Sequence, residues 1–156
     1  YLDGKILAQA LTILNKKFGR TEFLSDEIDF TFTDYYEREF GKNLKKVYVC
    51  MEKPMKIEKL PEIKIWSNEI EEKFSIENHR TINLDPGYIT KDSLVLASCK
   101  PRPYRIYLKK GVYAHLTLLF KKNDFIFFPW TFADYKEIKN LDFFRKVRNG
   151  ILKKKN

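Results

Sequence analysis

The spacing of apolar residues along the chain predicts three helices. The first begins after Asp3, a suitable N-cap, and ends at Gly19. The second begins at Pro61 and runs to about residue 74, and the third runs from Asp134 towards the C-terminus. The apolar stripes of these helices are Ile6, Leu7, Ala10, Leu11, Leu14 and Phe18; Ile63, Trp66, Ile70 and Phe74; and Ile138, Leu141, Phe144 and Val147.

Runs of β-branched and aromatic residues predict the strands. Ile28 to Phe32 alternates apolar and polar residues, and the segment 34–41 then breaks the pattern as a loop or short helical turn. The predicted strands span residues 28–32, 46–51, 81–84, 94–98, 104–108, 112–120 and 125–128. Successive hairpin-like strands with a few helices are typical of an α+β fold with a largely antiparallel sheet. Because no linker or repeat interrupts the sequence, residues 1–156 are predicted to form one domain.

The hairpin around Gly111 allows its register to be predicted. Its apolar residues share one face if the loop has three residues, 109–111, closed by a glycine with positive φ. A two-residue loop would pair apolar positions with polar ones, so the longer loop is preferred. The predicted pairs are Leu108 with Val112, Ile106 with Ala114, Tyr107 with Tyr113 and Arg105 with His115. The apolar face of the second strand is predicted to hold Val112, Ala114, Leu116 and Leu118.

The sequence N-L-D-P-G-Y at residues 83–88 places a strand end and a tight turn within six residues. Pro86 presets φ at the second turn position and Gly87 tolerates positive φ at the third, which predicts a type II turn. Asp85 precedes the proline and is therefore extended, continuing the strand at 81–84. A strand that delivers a carboxylate onto a rigid turn is common in binding sites, and also in ordinary turns.

The net charge of +9 is concentrated near the C-terminus. Residues 1–98 have 15 Lys and Arg against 17 Asp and Glu, whereas residues 99–156 have 15 against 4. This asymmetry indicates an anionic partner for the C-terminal portion, and nucleic acid is one candidate. Part of the excess is the lysine run at 153–155, which is more often a solvated end than a contact.

The sequence is that of a globular protein and predicts a cytoplasmic location. No apolar run approaches the roughly 18 residues of a membrane span, and there is no signal-peptide pattern. Cys50 and Cys99 lie in apolar, strand-like runs, which predicts buried, reduced thiols. The oligomeric state stays open, and one alternative is an interaction subunit whose aromatic surface is a dimer contact.

The common catalytic motifs are absent from the sequence. Its six glycines are scattered singly and cannot form a phosphate-binding P-loop, and there is no G-x-S-x-G elbow. His79, His115, Cys50 and Cys99 are isolated from one another, so no zinc site is predicted. No metal or cofactor is assigned, and whether the protein is an enzyme stays open.

The remaining candidates are polar and aromatic residues at the ends of predicted elements. If these ends converge, they form a polar, tyrosine-rich groove for an anionic small molecule, phosphorylated or nucleotide-like. Asp34 and Asp85 are the candidate catalytic residues, as acid–base or cation-holding groups, and Arg105 is the candidate anion anchor. The candidate ligand-binding residues are Tyr35, Tyr36, Asn83, Tyr88, Arg105, Tyr107, Tyr113, His115, Trp130 and Asp134.

Each of these residues also has a purely structural interpretation. Asp34 and Asp85 can satisfy backbone amides in their own turns. Arg105 and His115 can form an exposed cross-strand pair of little consequence. The main functional alternative is a nucleic-acid-binding module that uses the basic C-terminal portion.

Several motifs in the same order resemble a prokaryotic domain-of-unknown-function family whose signature is N-L-D-P-G-Y. The motifs are Asp34-Tyr35-Tyr36 with Gly41, N-L-D-P-G-Y at 83–88, L-V-L-A-S at 94–98, R-I-Y-L at 105–108 with Gly111 and Tyr113, and P-W-T at 129–131 with Asp134-Tyr135. The likeness covers essentially the whole chain. It implies a short strand preceding Tyr1, and hence an opening similar to a ferredoxin-like half. Some members carry a GTP-binding label, but this chain has neither a P-loop nor an N-K-x-D motif.

Overall fold

The computed structural model describes residues 1, 3–29, 44–77, 79–122 and 124–154. In these ranges the α-helices are α1 (Gly4–Phe18), α2 (Leu60–Lys73) and α3 (Ile138–Lys153), and short 3-10 turns span Ile57–Lys59 and Ala133–Lys136. The strands are β1 (Thr21–Leu24), β2 (Ile28–Asp29), β3 (Lys45–Lys46), β4 (Val49–Met51), β5 (Gly87–Ile89), β6 (Ser93–Ser98), β7 (Ile106–Lys109), β8 (Val112–Lys121) and β9 (Asp124–Phe127).

The predicted α+β class with a largely antiparallel sheet is confirmed. Every strand pairing in the described ranges is antiparallel. Two small sheets pair β1 with β4 and β2 with β3, and a five-stranded sheet has the order β5-β6-β8-β7, with β9 also pairing with β8. None of the described helices combines the length and the apolar character needed to cross a bilayer.

The chain divides into two compact units. The first consists of Tyr1–Met55 and Ser67–Leu84, and the second of Lys56–Trp66 and Asp85–Asn156. The five-stranded sheet and α3 belong to the second unit. The expectation that residues 1–156 form one domain stays a prediction.

The first unit shows the predicted capping of α1. The Asp3 carboxylate accepts hydrogen bonds from the backbone N–H groups of Lys5 and Ile6 at 2.8 and 2.9 Å. Gly19, with φ of 84°, ends the helix and donates to the carbonyl of Asn15. The apolar residues Tyr1, Ala10 and Ile82 are buried together, with Ile6, Leu7, Val47, Phe74 and Leu84 packed around them.

A buried glutamate of α2 holds the motif at residue 84. Glu71 is 2% exposed, and its Oε1 accepts from the backbone N–H of Leu84 at 2.6 Å. Its Oε2 lies 3.0 Å from Nη1 of Arg80, which supplies the opposite charge that a buried carboxylate needs. The position of Leu84 is therefore fixed by a charged side chain that the apolar pattern of α2 does not reveal.

In β8, the central strand of the second unit, the alternation of side chains between the two faces of the sheet shifts by one residue at Thr117. Leu96 lies opposite His115 and Val95 opposite Leu116, but Leu94 lies opposite Leu118, so Thr117 is an extra residue. Opposite residues project to the same face of a sheet, so Leu118 joins His115 rather than Leu116. The prediction that Leu118 shares a face with Val112, Ala114 and Leu116 is therefore wrong.

The β7–β8 hairpin confirms part of the predicted register. Ile106 pairs with Ala114 and Tyr107 with Tyr113, as predicted. The pairing of Leu108 with Val112 is wrong, because Lys109 takes that place after a bulge at Leu108. The loop is thus Lys110-Gly111, both with positive φ, 54° and 74°, as a type I′ turn requires. A two-residue loop was excluded because it would pair apolar positions with polar ones along the hairpin. The bulge at Leu108 shifts the register and so removes this objection.

The 83–88 motif does not form the predicted type II turn. Residues 81–86, all of them described, form no strand, and β5 begins instead at Gly87. The φ angle of Gly87 is not positive, whereas a type II turn requires a positive φ at this position. A Cβ atom there would lie 2.5 Å from the Val95 carbonyl oxygen and 2.7 Å from Cδ2 of Leu96. Close approach between β5 and β6 therefore explains this glycine.

Five further predictions need correction or lie outside the described residues. Residues 46–51 are split between β3 and β4, and β1 was not predicted. Ile138 is 76% exposed, since a 3-10 turn takes up residues 133–136 and α3 starts only at Ile138. Cys99 is exposed because it follows the end of β6. Most of the strand at 28–32 and all of the segment 34–41 fall outside the described residues.

We expect Gly87→Ala to lower the free energy of unfolding by about 1–3 kcal/mol, because the added methyl group overlaps β6. Gly4→Ala is a matched control, since a Cβ atom at Gly4 meets nothing within 4 Å. The control should change the free energy of unfolding by no more than about 0.5 kcal/mol, because Gly4 is the first residue of α1. Urea denaturation at pH 7 measures both changes, and equal midpoints for the two variants would contradict the close-approach explanation.

Candidate functional site

The structure places eight of the twelve predicted site residues in the second unit. Asp34, Tyr35 and Tyr36 lie outside the described residues, and Asn83 belongs to the first unit. The eight are Asp85, Tyr88, Arg105, Tyr107, Tyr113, His115, Trp130 and Asp134. The site is therefore described from the second unit alone.

Arg105 and His115 are in direct contact, but not as an exposed pair. Nε of Arg105 donates to Nδ1 of His115 at 3.1 Å, and His115 is 1% exposed. Strand register puts His115, Tyr113 and Tyr107 on one face of the sheet, where the rings of Tyr107 and Tyr113 meet edge to face at 5.3 Å. The sequence thus predicted the shared face correctly, while the interpretation as a surface pair is wrong.

Arg105 is held in place by its own neighbours. Its Nη1 donates to Oγ of Ser98 at 2.6 Å and to the carbonyl oxygen of Lys100 at 2.7 Å. The guanidinium carbon lies 5.8 Å from the centre of the Tyr104 ring. With Nε committed to His115, this arginine orients the imidazole as well as contributing a positive charge.

The contact with Arg105 fixes the proton of His115. Since Nδ1 accepts a hydrogen bond, a neutral ring must carry its proton on Nε2. Burial first, and then the neighbouring Arg105 charge, lower the pKa of His115 from 6.5 to about 4, so the ring is neutral at pH 7. Nε2 is itself buried and has no hydrogen-bond partner among the described residues. His115 therefore presents an unused N–H donor.

Aromatic rings surround this imidazole. Phe132 stacks on His115 with ring centres 4.9 Å apart, and Tyr104 meets its edge at 5.6 Å. Trp130 stacks on Tyr104 at 4.9 Å, and its indole N–H donates to the Leu116 carbonyl at 2.9 Å. Trp130 thus reaches the site through Tyr104, and Phe132, which stacks on the imidazole, is itself 42% exposed.

A second polar group surrounds Tyr135. Burial raises the pKa of Tyr135 well above its ordinary value, and the charges of Asp134 and Asp85 raise it further. Asp134 is buried, whereas Asp85 is half exposed, with Oδ1 3.5 Å from Nζ of Lys64. Phe132 joins the two groups, because its ring also contacts Tyr135, with centres 6.0 Å apart. The charges of Asp85 and Asp134 thus both act on Tyr135, and whether the two residues belong to one site stays a prediction.

Lys64 is the main residue that the sequence interpretation missed. Its side chain is only 8% exposed. Lysine is normally assigned to the exposed face of a helix, so the apolar pattern of α2 gave no reason to bury it. The spacing along the helix could have indicated that Lys64 is buried. Lys64 follows the buried Leu60 by four residues and precedes the buried Ser67 by three, so the three residues share one face of α2.

Tyr88 does not join the His115 face. It lies opposite Val95, on the other face of the sheet from Leu96 and His115. There it packs against buried Leu60, Ala97 and Val112, and burial raises its pKa. The predicted tyrosine-rich groove is therefore divided between two faces. Among the described residues, no group of three or more His, Cys, Asp or Glu side chains is placed to hold a metal ion.

Comparison with known proteins identifies the family of this chain. A family model described as Domain of unknown function (DUF4416) matches residues 2–150, so the chain belongs to that family. No curated protein and no solved structure matches it. The resemblance to a family of unknown function, inferred from the motifs, is confirmed at this level.

The imidazole of His115 should titrate near pH 4 and carry its proton on Nε2 while neutral. Nitrogen-15 NMR measures both properties, and His79→Gln assigns the signals because the chain has two histidines. Arg105→Ala should raise the pKa of His115 and allow both tautomers. A pKa near 6.5, or a proton on Nδ1, would contradict this arrangement.

Stability should fall as the pH drops from about 6.5 to 4. The unfolded chain binds a proton at His115 near pH 6.5, whereas the folded chain does so only near pH 4. This group alone contributes a slope of at most about 1.4 kcal/mol per pH unit within that window. His115→Gln should show a smaller loss, measured by urea denaturation at each pH. An identical pH dependence in the variant would show that His115 is not the group responsible.

Proposed function

We propose that this protein, a member of a family defined without an activity, binds a small anionic molecule in the cytoplasm through His115. The observation that carries the proposal is the buried Nε2–H of His115, which has no acceptor among the described residues. Leaving a buried donor unpaired costs about 1–3 kcal/mol, and a ligand oxygen at this position would recover that energy.

Arg105 supports the choice of an anion. Its guanidinium is always charged and lies in hydrogen-bond contact with the imidazole, so the local potential favours a negative group. Because its described hydrogen bonds go to His115, Ser98 and Lys100, we assign it as a positioning residue. His115, rather than Arg105, is then the group that touches the ligand.

The aromatic rings favour a ligand with a flat part. Phe132 stacks on His115 and is partly exposed, so a planar group can take its place over the imidazole. The stacked pair of Tyr104 and Trp130 forms the adjoining wall. A phosphorylated or nucleotide-like molecule combines the anionic and planar features. Access requires Phe132 to turn away.

The polar group at Tyr135 is assigned to the uncharged part of the same ligand. Tyr135 keeps its proton at neutral pH because burial and the carboxylates of Asp134 and Asp85 raise its pKa. Asp85 is the exposed member of its pair with Lys64 and is within reach of solvent. Its carboxylate would accept hydrogen bonds from ligand hydroxyls. A catalytic role for Asp34 or Asp85 stays a prediction.

Binding should weaken tenfold to a hundredfold in His115→Gln, since a hydrogen bond to a charged group contributes about 1.5–3 kcal/mol. Thermal shift followed by calorimetry measures this with ribose 5-phosphate and adenosine monophosphate as probes. His79→Gln is the matched control and should bind as the unchanged protein does.

Phe132→Ala provides a second, independent measurement. Removing the ring should strengthen binding of ribose 5-phosphate, because the ligand no longer displaces it. Near-UV circular dichroism verifies that both variants remain folded. Equal affinities in His115→Gln and the unchanged protein, or no stabilisation by either probe, would rule out this site.

A further inference from the structure

A cavity outside this site lies between α3 and the β8–β9 hairpin. About 80 Å3 of it is accessible to a water-sized group, and it is partly open to solvent. Phe120 and Phe125, both buried, line it together with Arg145, Arg148 and Lys122. None of its lining residues belongs to the His115 group, so the two sites are independent.

The two arginines are fixed against the aromatic rings. The guanidinium carbon of Arg148 lies 5.2 Å from the centre of the Phe120 ring, and that of Arg145 lies 5.0 Å from the Phe125 ring. Nε of Arg148 donates to the Lys91 carbonyl at 2.7 Å, and Nη1 donates to the Lys122 carbonyl at 3.3 Å. Arginines held in this way lose little side-chain entropy when they bind a ligand.

The charge of the cavity is positive. Arg145, Arg148 and Lys122 face one lining carboxylate, that of Asp124. Oδ1 of Asp124 already accepts a hydrogen bond from the backbone N–H of Phe125 at 2.7 Å. Arg145 also pairs with Asp142, on the exposed surface of α3. The cavity therefore combines an excess of cations with a shape that surrounds a small group.

We propose that this cavity binds the phosphate group of a small phosphate monoester. Guanidinium groups match the tetrahedral oxyanion through paired N–H donors, and a concave site with two of them favours a compact group. A nucleic-acid backbone would instead require cations spread along a track. The local excess of Arg145, Arg148 and Lys122 belongs to the basic C-terminal portion of the sequence.

Inorganic phosphate is the probe for this site, titrated calorimetrically at constant ionic strength. Phosphate should bind the unchanged protein, and its affinity should fall at least tenfold in Arg145→Gln and in Arg148→Gln. Lys139→Gln is the control, because it removes the same charge from an exposed position of α3 that does not line the cavity. Its affinity should change less than twofold.

Arg148→Gln loses two hydrogen bonds to backbone carbonyls and could therefore unfold. In that case Arg145→Gln alone tests the proposal. Unchanged phosphate affinity in Arg145→Gln would overturn the proposal. So would equal losses of affinity in His115→Gln and Arg145→Gln, because two independent sites cannot both hold the same bound phosphate and the losses would then not be specific to the cavity. A third outcome would also overturn the proposal. If the protein binds a single-stranded RNA oligomer, and Lys139→Gln and Arg145→Gln weaken that binding equally, the anion-binding region is a diffuse basic surface.

Discussion

The second unit depends on satisfying the backbone of a central strand that is buried on both faces. β7 pairs with the beginning of β8 and β9 with its end, and no strand of the described residues pairs with Leu116 and Thr117 on that side. The indole of Trp130 and the hydroxyl of Thr131 donate to the carbonyls of these two residues. Buried carbonyls demand such partners, so the segment after β9 is anchored where its Phe132 ring covers His115.

Much of the fold could be predicted because its helices and strands follow simple periods. The strand pairing of Tyr107 with Tyr113 followed from apolar alternation and a short loop. The errors arose where tertiary packing overrides local preference. The bulge at Thr117 reverses the faces of a strand, and Gly87 responds to a neighbouring carbonyl rather than to a turn. Neither cause has a signature within the local sequence.

The candidate site was partly predictable for the same reason. Cross-strand register alone places Arg105 beside His115, but it does not reveal that His115 is buried. Burial depends on Phe132 and Trp130, which follow another strand. Lys64 was missed because a buried charge contradicts the average behaviour of lysine, and its ion pair with Asp85 helps to make that burial tolerable.

The burial of His115 beside the charge of Arg105 has a consequence for regulation. A histidine whose pKa lies near 4 does not change charge during ordinary swings of cellular acidity. Its hydrogen-bonding character is then as constant as that of a backbone amide, although the side chain is one that proteins commonly use to sense pH. Any response of such a site to acidification would therefore come from the ligand, for example from the second pKa of a phosphate at about 6, and not from this imidazole.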